Sequence, residues 1–170
     1  MAGRFPAIPN FSSQTRIMTM QVNLKPSQRA AIVGAIDAQS SAAAKSTGWI
    51  DAATFHNYLA KIGVGALGAN ATVDAKLEQA NKFDGSDVVK DVAGKAIMQL
   101  TKANNDDSKQ AVINLKQEDL DFAGGFKWFR LTITPAVAAS LIDGMVMGFD
   151  PRYGFASDVG NKAASQAQTV

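Results

Sequence analysis

The chain contains no cysteine and only one histidine, His56, among its 170 residues. The lack of thiols excludes a disulfide framework and a thiolate metal site. A zinc site needs three or four nitrogen, sulfur or carboxylate ligands, so a single imidazole argues against one. The same shortage argues against Ser-His-Asp and Cys-His catalysis, and no G-x-S-x-G sequence is present. We therefore predict no catalytic residue, no metal site and no cofactor.

Long apolar runs and dense charge are also missing. No stretch approaches the ~18 consecutive apolar residues that cross a bilayer, so we expect no membrane partner. The net charge is +2, and the lysines and arginines are scattered rather than clustered. We therefore expect no nucleic-acid partner. The hydrophobic fraction of 46% and the charged fraction of 19% are typical of a globular protein.

Helical periodicity is scarce, whereas the alternation that is typical of strands recurs along the chain. Residues 72–79 place Val73, Ala75 and Leu77 on one face, which is the period-2 pattern of a half-buried strand. Residues 126–134 form the clearest strand, and we expect Pro135 to end it. Other predicted strands are 49–51, 55–64, 88–92, 96–100, 110–115 and 140–149, with 88–92 and 96–100 expected to pair around Gly94.

About eight short strands separated by turn signals predict an all-β fold, and more specifically an antiparallel β-sandwich of jelly-roll or Greek-key type. Residues 27–44 fit either a helix or a strand, because they are rich in alanine but carry a thin apolar stripe. We favour a strand at 31–36 followed by a loop of small residues. The chain then divides into an extended N-terminal arm (1–26), a sandwich domain (27–157) and a C-terminal tail (158–170).

The N-terminal segment combines prolines with separated large apolar residues. Pro6 and Pro9 disfavour a helix, and no clean alternation is present. Such a segment is typical of an arm that orders against a neighbouring surface, and a plain disordered tail is the alternative. The expected anchors of the arm are Phe5, Ile8, Phe11 and Ile17.

A glycine-rich sequence, Gly63-Val-Gly65-Ala-Leu-Gly68, matches the G-x-G-x-x-G pattern of dinucleotide-binding sites. In such sites the glycines let the backbone approach a pyrophosphate at a helix N-terminus. Here an alternating segment follows instead of a clear helix, so we interpret the glycines as a turn between two strands.

Acidic and aromatic residues offer two further candidate sites. Residues 106–107 and 118–121 carry carboxylates but lack the spaced pattern of a calcium loop, so we interpret them as polar turns. Aromatic residues on strands can form a sugar-stacking platform, although they more often belong to a core or an interface. The candidates for such a platform are Trp49, Phe126, Trp128 and Tyr153.

Several blocks of the sequence carry a family resemblance. They are Ala71–Ala80 (ATVDAKLEQA), Val92–Ile97 (VAGKAI), Lys109–Leu115 (KQAVINL), Leu120-Asp121 and Asp150–Gly154 (DPRYG). Through these blocks the chain resembles small proteins encoded among the head and tail genes of tailed phages and prophages, particularly those of alphaproteobacteria. The resemblance spans residues 49–157, about two-thirds of the chain, and the first 48 residues match less clearly.

The resemblance implies a virion-associated β-sandwich without catalytic residues, assembled in the cytoplasm of a bacterial host. We expect a capsid decoration or minor capsid protein that binds the major capsid protein or other virion proteins, as a homo-oligomer. A head fibre or tail module that recognises a host glycan, and a neck or tail connector, are the alternatives. Arg152 and Tyr153 are candidate rim contacts, and the alternative, which we favour slightly, is that their segment only caps the sandwich.

Overall fold

The computed structural model describes residues 24–159, so the predicted anchors Phe5, Ile8, Phe11 and Ile17 lie outside the described residues. Short helical turns occur at Pro26–Arg29 (α1), Lys102–Asn104, Gln117–Asp119 and Ala156–Val159 (α2). The strands are β1 Ala30–Ser41, β2 Lys45–Ser46, β3 Ile50–Asp51, β4 Phe55–Val64, β5 Thr72–Ala80, β6 Val89–Ala96, β7 Leu100–Thr101, β8 Gln110–Lys116, β9 Trp128–Ala136 and β10 Ser140–Pro151.

The strands form two antiparallel sheets that pack face to face. Sheet I has the order β1-β10-β4-β8, and sheet II has the order β2-β9-β5-β6, with β3 also paired to β9 and β7 to β5. The short β2 and β3 together act as one strand along β9, and β6 and β7 as one strand along β5. The first and last strands are then neighbours in sheet I, and the chain crosses between the sheets as in a jelly roll. The predicted all-β sandwich is confirmed.

The core lies between the sheets and follows the predicted alternation. Strand β5 buries Val73, Ala75 and Leu77, as expected from its period-2 pattern. Strand β9 lies beside β5 in the same sheet and adds fully buried Phe129, Leu131 and Ile133 to this side of the core. Each large apolar side chain that leaves water in this way contributes roughly 1.5–3 kcal/mol before the cost of ordering it. Sheet I adds Ile62, Leu115, Ile142 and Val146.

Tyr58 ties the two sheets together near one end of the sandwich. Its ring makes a T-shaped contact with the Phe129 ring, with the two centroids 4.7 Å apart. Its hydroxyl donates to the Asp51 carbonyl at 3.0 Å and accepts from the Phe55 backbone N–H at 3.1 Å. Burial raises the pKa of Tyr58, so the phenol stays protonated and keeps donating to Asp51.

Three predicted boundaries differ from the structure. Residues 88–92 and 96–100 do not pair with each other, because β6 runs through Gly94 and both β6 and β7 pair with β5. Gly94 has a φ of +70° and lies where the β5–β6 register shifts, so it forms a bulge rather than a hairpin turn. Strand β9 continues through Pro135, which lacks a ladder donor but keeps an extended backbone near the strand end. The predicted strand at 31–36 is confirmed, but it extends to Ser41.

Candidate interaction surface

The outer face of sheet I carries apolar side chains on adjacent strands. Because residues of a strand alternate between faces, the partly exposed Met145, Met147 and Phe149 point away from the core that buries Val146. Met147 pairs with Ile32 of β1 and Leu59 of β4, so three apolar residues lie side by side across three strands. Met145 pairs with Ala35 and Lys61, and Val112 pairs with Lys61 from β8.

The charge on this face is balanced internally. Lys61 Nζ lies 2.6 Å from Asp143 Oδ2, and both side chains are partly exposed. The Asp143 side chain passes over Gly63 to reach Lys61, and a β-carbon at residue 63 would overlap the Asp143 carboxylate. Gly63 is therefore required by a close approach, and the ion pair leaves the centre of the face without net charge.

A groove adjoins the apolar face at one end of the sandwich. It has a volume of about 640 Å³. We call it the end groove, and Met147 and Phe149 line it as well as belonging to the face. Its other walls come from α1, from His56 and from the segment after β10, with Leu24, Pro26, Ala30 and Phe155 as the apolar members.

The outer face of sheet II is different over most of its width, because the side chains of β5, β6 and the middle of β9 are polar and paired, while Trp49 and Trp128 lie at one end of it. Glu78 accepts hydrogen bonds from Arg130 Nε and Thr132 Oγ1, each at 2.8 Å, and its other oxygen lies 3.3 Å from Lys76 Nζ. Lys76 also contacts Asp91 at 2.7 Å, so the network spans β9, β5 and β6. Burial by itself raises the pKa of Glu78, but the hydrogen bonds outweigh it and the pKa is lowered.

The candidate aromatic platform is largely occupied by intramolecular contacts. The Arg130 guanidinium lies 4.5 Å from the centre of the Trp49 ring, and Lys90 lies 4.0 Å from the centre of the buried Phe126 ring. The Trp128 ring makes an edge contact with the Phe83 ring, and the two ring centroids are 6.3 Å apart. Of the four rings, Tyr153 is the one left largely in solvent, with 79% of its surface exposed.

The glycine motif, the acidic clusters and His56 have structural positions. Gly63 lies in β4, while Gly65 and Gly68 lie in the loop that joins β4 of sheet I to β5 of sheet II. A strand rather than a helix follows, as predicted, but the loop connects two sheets and is not a hairpin. The acidic side chains are paired with lysines: Asp107 with nearby Lys102 at 2.8 Å, and Asp121 with Lys90 of β6 at 2.6 Å. Exposed His56 lies on β4, and residues 24–159 contain no group of three or more His, Asp or Glu placed to hold a metal ion.

The two candidate rim residues lie just after β10. Arg152 donates from its guanidinium to Gln117 and from its backbone N–H to the Thr54 carbonyl at 3.0 Å, so it helps to close this end of the sandwich. Tyr153 is free to contact a partner. In residues 24–159 no helix has the length and apolar content needed to cross a membrane.

Sequence reasoning missed the apolar face, although β10 contained a signal for it. In residues 140–149 both alternating sets are mainly apolar: Ile142 and Val146 on one side, and Met145, Met147 and Phe149 on the other. A strand that is apolar on both faces is typical of a sheet covered on both faces. Only the register with β1 and β4 shows that the outer set joins Ile32 and Leu59.

Comparisons with known proteins leave this surface without an assigned role. No protein-family model matches the chain, and no curated protein matches it. Among solved structures, the chain is similar to one in the structure of the infectious bursal disease virus Gt strain, with 11% sequence identity and a TM-score of 0.27. The match covers 75% of this chain and 44% of that chain, so this protein spans less than half of it. A similarity at this level carries no argument about function.

Proposed function

We propose that this protein is a non-catalytic structural subunit of a tailed-phage particle, and that it binds the head surface as a decoration or minor capsid protein in multiple copies. The sequence blocks that resemble phage head and tail proteins suggest this class of function. The jelly-roll fold is compatible with it, since jelly rolls occur in viral capsids, but the same fold serves lectins and cupins. The proposal therefore depends on a surface rather than on the fold.

The observation that carries the proposal is the contrast between the two outer faces. An antiparallel sandwich in water normally shows polar residues on its outer faces, as the middle of sheet II does here. The outer face of sheet I instead places the half-buried Leu59 and Met147 side by side, with Met145 and the exposed Val112 on the same face. A contiguous apolar patch on a domain surface marks a protein contact. Its internally balanced Lys61–Asp143 pair suits a protein partner rather than a strongly charged ligand.

The first experiment is the copy number of the protein in purified particles, measured by quantitative mass spectrometry against the major capsid protein. A number in the hundreds supports a position on the head lattice. A dozen copies or fewer contradicts head decoration and places the protein at the neck, tail or fibre. Complete absence contradicts the virion role altogether.

A pair of matched variants tests the surface itself. Met147→Lys places a charge on the outer face of sheet I, and Thr134→Lys places the same charge on the outer face of sheet II, beside Asp74. We expect the Met147 variant to be incorporated into particles at least tenfold less than wild type and the Thr134 variant to be incorporated normally. Equal incorporation of both, with both variants folded by circular dichroism, contradicts the proposed use of this face.

A further inference from the structure

Strand β8 forms one edge of sheet I. It pairs with β4 and with no other strand among residues 24–159. Its register against β4 runs from Gln110 to Lys116 without a shift, and the strand contains neither proline nor glycine. A regular edge strand presents a row of unpaired backbone groups, which is a template for pairing with another strand.

The other edges of the two sheets are shorter or interrupted. Strands β2, β3 and β7 have two residues each. Strand β6 carries the bulge at Gly94, and β1 shifts its register against β10 twice. Short strands and bulges are the devices by which natural sheets prevent pairing between edges. Strand β8 has neither, so it is the edge best suited to pairing in the described part of the chain.

The ladder between β4 and β8 fixes which backbone groups of β8 face outward. The Val64 N–H donates to the Lys109 carbonyl at 2.9 Å, so every second residue of β8, counted from Lys109, bonds to β4 in the same way. The N–H and C=O groups of the residues between them point away from β4. These outward residues are Gln110, Val112 and Asn114. The open row ends at Lys116, whose N–H donates to the Asp119 carboxylate at 2.8 Å.

The open row is complementary to itself. Its three side chains are exposed on the outer face of sheet I, with Val112 57% exposed. When two copies of β8 run antiparallel with Val112 opposite Val112, Gln110 of each copy lies opposite Asn114 of the other. Two valines then form an apolar β-branched pair, and the two amide side chains can exchange hydrogen bonds. Lys116 falls opposite Ser108 of the other copy, so no two lysines face each other.

We propose that two copies of this protein pair along β8, antiparallel about a two-fold axis at Val112, so that their four-stranded sheets join into one sheet of eight strands. A two-fold axis requires a surface that matches itself, and the register about Val112 provides one. Main-chain hydrogen bonds hold the two strands together, and the side-chain pairs select the register. This inference goes beyond the proposed function, because it concerns a contact between copies and not the contact with the head surface.

Two substitutions of Val112 in the full chain separate a backbone contact from a side-chain contact. Val112→Pro keeps an apolar side chain and the bonds to β4, but it removes a donor from the open edge. Val112→Thr keeps the N–H and the branched shape, but it makes the side chain polar. By multi-angle light scattering over a series of concentrations, we expect dimers of wild type and Val112→Thr and only monomers of Val112→Pro, all with the same β-sheet circular dichroism spectrum. A monomeric wild type overturns the inference, and so does a dimer that the threonine disrupts and the proline leaves intact.

A charge-swap experiment tests the register and does not need the proline variant to fold. Val112→Lys and Val112→Glu should each be monomeric, because each places two like charges opposite one another at the axis. An equal mixture of the two should form the mixed dimer, which native mass spectrometry identifies. Thr134→Lys, on the outer face of sheet II, is the matched control and should remain a dimer. Dimers of either single Val112 variant, or a mixture that stays monomeric, overturn pairing about Val112.

The inference and the proposed function fail separately, because these measurements use the purified chain without particles. A dimer of a protein that is absent from particles contradicts only the proposed function. A monomer that is incorporated into particles contradicts only the pairing along β8.

Discussion

At the scale of single residues, Gly63 shows how the apolar face keeps its charge balanced. Its missing side chain leaves room for the Asp143 carboxylate on its way to Lys61 Nζ, 2.6 Å away. The requirement is spatial, because the neighbour of the absent β-carbon is a paired carboxylate on the adjacent strand. The same glycine belongs to the sequence motif that matches a nucleotide-binding pattern, so the motif has a packing role here.

We expect Gly63→Ala to lower the free energy of unfolding by about 1–3 kcal/mol, since the new methyl group overlaps Asp143 and forces the ion pair or the strand to move. Urea denaturation measures the change. Gly48→Ala is the matched control, because no atom lies within 4 Å of its β-carbon position, and it should be neutral or slightly stabilising. The double variant Gly63→Ala/Asp143→Ala should recover part of the loss. A Gly63→Ala protein as stable as wild type would contradict this account of the glycine.

At the scale of elements, the outer face of sheet II is held by a network that crosses three strands. Glu78 on β5 joins Arg130 and Thr132 on β9, while Lys76 connects the same carboxylate to Asp91 on β6. The Glu78 side chain is only 12% exposed, so its hydrogen bonds are poorly replaced by water. The network therefore helps to fix the register of β5 against β9, which the alternation of buried and exposed residues in the two strands also fixes.

This network makes stability depend on pH on the acid side. Because the folded state lowers the pKa of Glu78 below its ordinary value of 4.5, the unfolded chain binds the proton more readily. The stabilisation by Glu78 is then fully present above about pH 5 and is lost as the pH falls through the folded-state pKa. We expect Glu78→Gln to cost about 1–3 kcal/mol at pH 7 and to differ less from wild type at pH 3.

Denaturation curves of wild type and Glu78→Gln at several pH values measure this convergence. Asp37→Asn is the control, since it removes one negative charge from an exposed position on β1 in the other sheet. It should change stability by at most a few tenths of a kcal/mol at either pH. A Glu78→Gln deficit that stays constant from pH 7 to pH 3 would show that the carboxylate charge is not the source of the stabilisation.

At the scale of the whole molecule, the fold is closed by its last strand. Strand β10 pairs with β1 on one side and with β4 on the other. Ala30 therefore pairs with Phe149, which lies more than a hundred residues later in the sequence. It also supplies Ile142 and Val146 to the core. Neither half of the chain forms a complete sheet I, and contacts of such long sequence separation predict folding in milliseconds to seconds.

We expect a chain truncated after Ala139 to show no cooperative unfolding transition, because the loss of β10 splits sheet I and leaves β1 without its pairing strand and β4 with β8 alone. Urea denaturation followed by tryptophan fluorescence tests this. The matched control is truncation after Val159, which keeps the strands of both sheets and should unfold cooperatively. A cooperative transition in the shorter chain would show that β1, β4 and β8 form a stable sheet without β10.

The sequence by itself determined the class of fold and the inner faces of its strands. Alternation in β5 is local, since every second residue must leave water, and it placed Val73, Ala75 and Leu77 on one face, which is the buried one. The strand that follows the glycine motif was likewise predictable from short-range alternation. The segment around Gly94 was predicted wrongly, because one positive-φ glycine fits a hairpin turn and a bulge equally well.

Only the tertiary structure decided the strand order, and with it the candidate surface. Ile32, Leu59 and Met147 lie far apart in the sequence, with more than a hundred residues between Ile32 and Met147. No local pattern shows that β10 inserts between β1 and β4. Arg130 covers Trp49 for the same reason, since strand pairing set that contact. Which side chains face inward is a property of each strand, whereas which outer side chains become neighbours is a property of how distant strands pair.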